Sequence, residues 1–149
     1  MLILIGADHR GFKLKEDLRA YLSGKGYEVA DLGNQTLDET DDYTDFAIAV
    51  GLAVSRNPAA RGILACGSGA GMAVTANKFK NVRASLGFST DQIFDARSDD
   101  DLNVLVLAAN FTSSAEARKI TDVFLATPFQ EEERHHRRLE KIRQIESSP

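Results

Sequence analysis

The sequence predicts an α/β domain. It should have three αβα layers, Rossmann-like, around a five-stranded parallel sheet of order 2-1-3-4-5, with an extra C-terminal helix. Three observations predict it. Short runs rich in Ile, Leu and Val alternate with longer segments of helical spacing. Those runs are apolar on both faces, as strands buried in a parallel sheet are. The strand–helix unit recurs five times, the pattern of a doubly wound sheet.

Leu2–Ile5 is the first expected strand. The helix after it, Lys13–Leu22, carries Leu14, Leu18 and Leu22 on one face, and Gly24 and Gly26 stop it. Tyr27–Leu32 is the second strand and Phe46–Val54 the second helix. Gly62–Ala65 and Met72–Phe79 form the third unit, Val82–Leu86 and Gln92–Arg97 the fourth. Val104–Leu107 and Ala115–Leu125 form the fifth, closed by Pro128. A last helix, Glu131–Ile145, begins with three glutamates and continues with Arg134, Arg137, Arg138, Lys141 and Arg143, a charge order that suits the helix dipole. Its plain reading is a solvated, salt-bridged surface helix. A sharper reading notes that Arg134 and Arg138 project from one face, where two guanidinium groups suit capture of a phosphate.

Composition narrows the function classes. The chain has 149 residues, 18 basic and 22 acidic, for a formal net charge of −4. That length suits one domain over residues 1–149. A hydrophobic fraction of 43% with 27% charged residues excludes a disordered chain. The mild acidity argues against binding nucleic acid by phosphate neutralisation. A single cysteine, Cys66, leaves no internal disulfide and no Cys-rich zinc site, and fits a reducing cytoplasm. The apolar run at the start ends after Ile5, too short for a signal peptide or a membrane span.

Ligands of open α/β sheets bind at the carboxyl ends of the strands. Of the loops there, Cys66-Gly67-Ser68-Gly69-Ala70-Gly71 carries the strongest signal. Alternating glycines let backbone amides converge, and a helix start adds partial positive charge, so the loop suits a phosphate or a developing oxyanion. It has neither the lysine of a P-loop nor a dinucleotide fingerprint, and a purely structural turn is the competing reading. Cys66 is either a small buried hydrophobe or a thiol whose thiolate the helix start stabilises. Met72 stands where a thiol phosphatase would need arginine, which argues against a nucleophile of that kind.

Asp8 and His9 lie in the loop after the first strand and should face Cys66 across the cleft, with Ser68 close by. Taken singly, Asp8 also reads as a helix cap and His9 as an exposed loop residue. His135 and His136 diverge on their helix and read as neighbours of the arginine pair, not as a metal site. Residues 38–42 read as a solvated acidic loop. The run Asp99-Asp100-Asp101 is expected near the fifth strand and close to the cleft.

Several blocks together resemble the type B ribose-5-phosphate isomerases and the related galactose-6-phosphate isomerase subunits. They are Gly6 to Lys15, the Cys66–Gly71 loop, Ala76-Asn77-Lys78 with Arg83-Ala84, Asn103-Val104-Leu105, and Arg134-His135 with Arg138. The match spans nearly the whole chain. The resemblance implies a homodimer or dimer of dimers with sites at the subunit interface, residues 131–149 packing on the partner. It implies aldose–ketose isomerisation of a phosphosugar through a cis-enediolate, without metal or cofactor, as in pentose phosphate metabolism. By position, Cys66 would be the carbon base, and the amides of Gly67, Ser68, Gly69, Ala70 and Gly71 the anion hole. Ser68 and Asp8 would shift the hydroxyl proton, and Tyr43 would line the sugar site. His9, with Arg134, His135 and Arg138 from the partner, would clamp the phosphate.

This chain departs from the family pattern at three positions. Asp99 replaces the histidine assigned to ring opening, Asp100 replaces an asparagine of the anion hole, and Asn110 replaces a phosphate-binding arginine. A carboxylate facing an enediolate repels it unless protonated or paired. Three activities follow as expectations: ribose 5-phosphate isomerisation, isomerisation of another phosphosugar (open-chain, four-carbon, or six-carbon), or sugar-phosphate binding without catalysis.

Overall fold

The computed structural model describes residues 1–148. Eleven elements follow in the order β1 (Leu2–Ala7), α1 (Phe12–Gly24), β2 (Glu28–Asp31), α2 (Tyr43–Arg56), β3 (Arg61–Cys66), α3 (Ala70–Ala76), β4 (Ala84–Leu86), α4 (Thr90–Asp100), β5 (Val104–Ala108), α5 (Ser114–Ala126) and α6 (Glu133–Ser147). The five strands form one wholly parallel sheet. Among the described residues no helix is long and apolar enough to cross a membrane.

Alternation along the strands sorts side chains into two cores, as a pleated strand requires. Ile3, Ile5, Ile63, Ala65, Leu105 and Leu107 face one side, where Leu14, Leu18 and Leu22 of α1 and Phe124 of α5 cover them. Leu4, Leu64, Cys66, Val104 and Val106 face the other, under Phe46 and Val50 of α2 and Met72 of α3. Cys66 therefore belongs by strand parity to the α2–α3 side. The class, the three layers and the extra C-terminal helix are as expected.

The strand order differs from expectation at one edge: it is β2-β1-β3-β5-β4, not 2-1-3-4-5. Burial is the physical reason. Four of the five residues of β5 are fully buried, so its backbone needs a hydrogen-bonded neighbour on each side. The short β4 is half-exposed throughout and suits an edge. Asn77 serves that edge: its side chain donates to the Ala84 carbonyl and accepts from the Ala84 amide, each at 2.8 Å. The same side chain also donates to the Ala73 carbonyl, and α3 stops at Ala76 instead of continuing to Phe79.

Candidate active site

The carboxyl ends of β1 and β3 lie side by side, with Ala7 opposite Ala65. Asp8 is the first residue after β1, and Cys66 is the last residue of β3. The Asp8 amide donates to the Ala65 carbonyl at 3.3 Å, and Asp8 Oδ1 accepts the Gly11 amide at 3.0 Å. Asp8 is thus both a turn cap and a carboxylate held beside the end of β3, next to Cys66.

Cys66 is 5% exposed, and its Sγ accepts the Gly69 amide at 3.2 Å. That contact depends on the glycine. Gly69 has φ of 76°, and a Cβ there would sit 2.2 Å from Leu86 Cδ2. Burial pushes the thiol up from its ordinary value. The amides of Gly69, Met72 and Ser68 pull it down, and the charge of Asp8 adds to the upward push. The sequence left Cys66 open between a small buried hydrophobe and a stabilised thiolate, and in this chain burial is the larger influence on the thiol. Desolvation of the sulfur outweighs the converging amides.

Ser68 is exposed at the tip of the loop, and its Oγ accepts the Ala70 amide at 3.4 Å. It borders a cavity of about 400 Å³ walled by Phe88, Thr90, Phe111 and Lys119. Gly71 brings the first residue of α2 to the same loop. A Cβ there would lie 2.5 Å from the Tyr43 ring, so the aromatic ring rests directly on the glycine. Asp8, Cys66, Ser68, Gly67, Gly69, Ala70, Gly71 and Tyr43 therefore converge.

His9 completes this half. Its amide and its ring Nδ1 both meet Asp41 Oδ1, at 3.0 and 2.7 Å. Asp41 raises His9 above the ordinary imidazole value through the ring hydrogen bond first. Desolvation opposes this, the charges of Asp8 and Asp41 add to it, and Arg10 opposes it. Asp41 is the member that sequence reasoning missed. Its side chain is 7% exposed, although it sits in the run read as a solvated loop. Nothing in the spacing of that run marks it.

The remaining predicted residues lie elsewhere. α4 starts beyond the carboxyl end of β4 and runs back to the amino end of β5, so Asp99 and Asp100 sit at the amino ends of the strands, the end of the sheet opposite Cys66. The expectation that the Asp99–Asp101 run lies close to the cleft is corrected by this helix direction. Asp101 is structural: with φ of 48° it caps α4 and pairs with Arg83 at 2.7 Å and Arg97 at 2.9 Å. α6 packs on α4 there. Arg134 and Arg138 are exposed, with Arg134 Nε 2.8 Å from Glu132. His135 is fully buried. Its Nδ1 meets the Gln130 carbonyl at 2.8 Å, and its Nε2 lies 3.6 Å from Asp99 Oδ1. Its ring is turned inward toward α4. Asp100 borders a second recess of about 380 Å³ with Arg83, Ile142 and Glu146. One chain thus carries two groups of candidate residues, one at the carboxyl ends and one at the amino ends of the strands.

Chemically, the first group can hold an anion, move protons between oxygens and take a proton from carbon. Among the described residues no three His, Cys, Asp or Glu side chains are grouped to hold a metal ion.

Comparison with known proteins adds the following. The ribose/galactose isomerase family profile matches residues 3–142. A probable ribose-5-phosphate isomerase B of Mycoplasma genitalium is 43% identical, over 94% of this chain and 92% of its own. A 4-deoxy-4-sulfo-D-erythrose isomerase of a Clostridium species is 36% identical, over 88% of this chain and 82% of its own. The crystal structure of ribose-5-phosphate isomerase B from Mycoplasma genitalium with bound ribulose-5-phosphate superposes with a TM-score of 0.95. It has 40% sequence identity and covers 99% of this chain and 97% of that one. The enzyme from Thermotoga maritima superposes at 0.91, with 41% identity and coverage of 96% and 97%.

Proposed function

The chain belongs to the ribose/galactose isomerase family, and from that premise we propose that it interconverts ribose 5-phosphate and ribulose 5-phosphate through a cis-enediolate. It is an isomerase acting on phosphosugars. The observation that carries the mechanism is the meeting of Cys66 and Asp8 at adjacent strand ends, with a loop amide aimed at the sulfur.

In the aldose-to-ketose direction, the Cys66 thiolate takes the proton from C2. The electron pair moves toward O1, and the enediolate forms against the amides of the Gly67–Gly71 loop. Ser68 and Asp8 carry the O2 proton to O1. The thiol then returns its proton to C1, and the carbonyl is left at C2. Preorganised amides favour the charge as it develops, and the loss of one such donor typically costs about 10²–10³ in rate. His9 holds the phosphate and so keeps the reacting carbons in line.

The second group, Asp99, Asp100, Arg134 and Arg138, is brought to the first by a second copy of the chain. In that arrangement Arg134 and Arg138 complete the phosphate clamp, and His135 anchors the helix that presents them. An isologous dimer makes two such composite sites.

The test is turnover of ribose 5-phosphate with proton exchange into the product. Cys66→Ala should lose about 10²–10⁴-fold, the usual contribution of a positioned base. Full turnover in Cys66→Ala, or sugar-phosphate binding without proton exchange, overturns the reading. A second reading has a specific basis. Two carboxylates, Asp99 and Asp100, stand in the second group, and one relative is named for a four-carbon sulfosugar. A short acyclic substrate needs no ring opening. Activity confined to four-carbon substrates, when these are assayed beside ribose 5-phosphate, decides for it.

A further inference from the structure

The β2–α2 loop, residues 32–42, is held down by a chain of polar contacts that ends on His9. Lys15 is fully buried, pairs with Asp31 and Glu16, and donates to the Asn34 carbonyl at 2.9 Å. Asn34 Nδ2 donates to Asp41 Oδ2 at 3.1 Å. Asp41 Oδ1 then receives both the amide and the ring Nδ1 of His9. Both oxygens of one nearly buried carboxylate are thereby committed. A buried ammonium and a carboxylate held in this way make a rigid mount for an imidazole.

We propose that Asp41 is a positioning residue that presents His9 Nε2–H to the phosphate of the sugar. The inference rests on the phosphosugar reading above. An ionised carboxylate only accepts hydrogen bonds, so His9 Nδ1 carries a proton in this contact. In the neutral ring Nε2 would then be a bare lone pair, which cannot donate to a phosphate. The binding form is the doubly protonated ring, which the hydrogen bond to Asp41 favours. Asp8 supports that form and Arg10 opposes it, while Asp38 also senses the ring's charge. Asp41 itself acts only through His9, and by this argument it sets the pH above which phosphate affinity is lost.

The experiment measures KM and kcat for ribose 5-phosphate, and the inhibition constant of inorganic phosphate, from about pH 6 to 9. The full-length wild type is compared with Asp41→Asn and Asp41→Glu. In Asp41→Asn, KM and the phosphate inhibition constant should rise several-fold near pH 8, because the ring gives up its second proton at lower pH once the Asp41 hydrogen bond is weakened. kcat should stay within about twofold, and Asp41→Glu should recover most of the loss. Asn34→Ala frees only Asp41 Oδ2, and should give a smaller shift in the same direction even if Asp41→Asn folds poorly. Unchanged KM profiles in Asp41→Asn and Asn34→Ala overturn the proposal. So does a joint loss of kcat and KM that Asp41→Glu does not rescue, because it assigns Asp41 to the loop alone. NMR titration of the His9 ring with inorganic phosphate separates the two readings. If the wild type turns over no phosphosugar, the functional reading fails. The change in the His9 midpoint between wild type and Asp41→Asn still decides the role of Asp41.

Discussion

Cys66 shows how two local effects of opposite sign are decided by magnitude. Its place before a glycine loop draws the thiol toward ionisation, and its 5% exposure draws it the other way. Burial leads, and the Asp8 charge reinforces it. With the thiol raised, the thiolate appears only as pH climbs past the range of a free cysteine. We therefore expect kcat to rise through and beyond about pH 8.5, the ordinary thiol value. Asp8→Asn removes one upward push, so its rising limb should lie at lower pH even though its maximum falls. A kcat–pH profile of the two proteins checks both statements. Asp8 and Cys66 were legible in the sequence because each follows a strand and neighbours glycines. Asp41 was not, because its partner His9 is 32 positions away and its neighbours are exposed acids.

The helices divide between those that carry the site and those that carry stability. α5 begins with a complete capping box, in which Ser113 Oγ accepts the Glu116 amide and the Glu116 carboxylate accepts the Ser113 amide. Ser113→Ala should cost about 0.5–2 kcal/mol, the usual loss of a cap, with kcat and KM unchanged. Chemical denaturation read beside a kinetic assay checks this. α4 illustrates a different lesson. Its 11 residues span about 16 Å and run antiparallel to the strands, so its two ends lie at opposite ends of the strands. The helix itself was legible from spacing. The side on which its C-terminal aspartates emerge follows from the connection to β5, and the correction to the Asp99–Asp101 run comes from there.

At the scale of the molecule, one chain holds Asp8, His9, Cys66 and Ser68 at the carboxyl ends of the strands and Asp99, Arg134 and Arg138 toward the amino ends. If two copies complete each other, damage to the two groups should complement. Cys66→Ala and Arg134→Ala/Arg138→Ala should each be nearly inactive alone. Mixed by unfolding and refolding together, half the dimers should be mixed, each with one intact site, and about a quarter of wild-type turnover should return. Absence of recovery, with mixed dimers demonstrated by mass, counts against a shared site.

The sequence by itself determined the alternation of strands and helices, the two faces of the sheet and the glycine loop that follows Cys66. These depend on local spacing and on residue type, so a linear chain displays them. Only the tertiary structure decided that β5 lies inside β4, that Asp41 supports His9 and that Asp99 emerges far from the sulfur. It also decided that burial opposes ionisation of the Cys66 thiol. Each of these depends on desolvation, or on contacts between segments distant along the chain, and neither exists until the chain has folded.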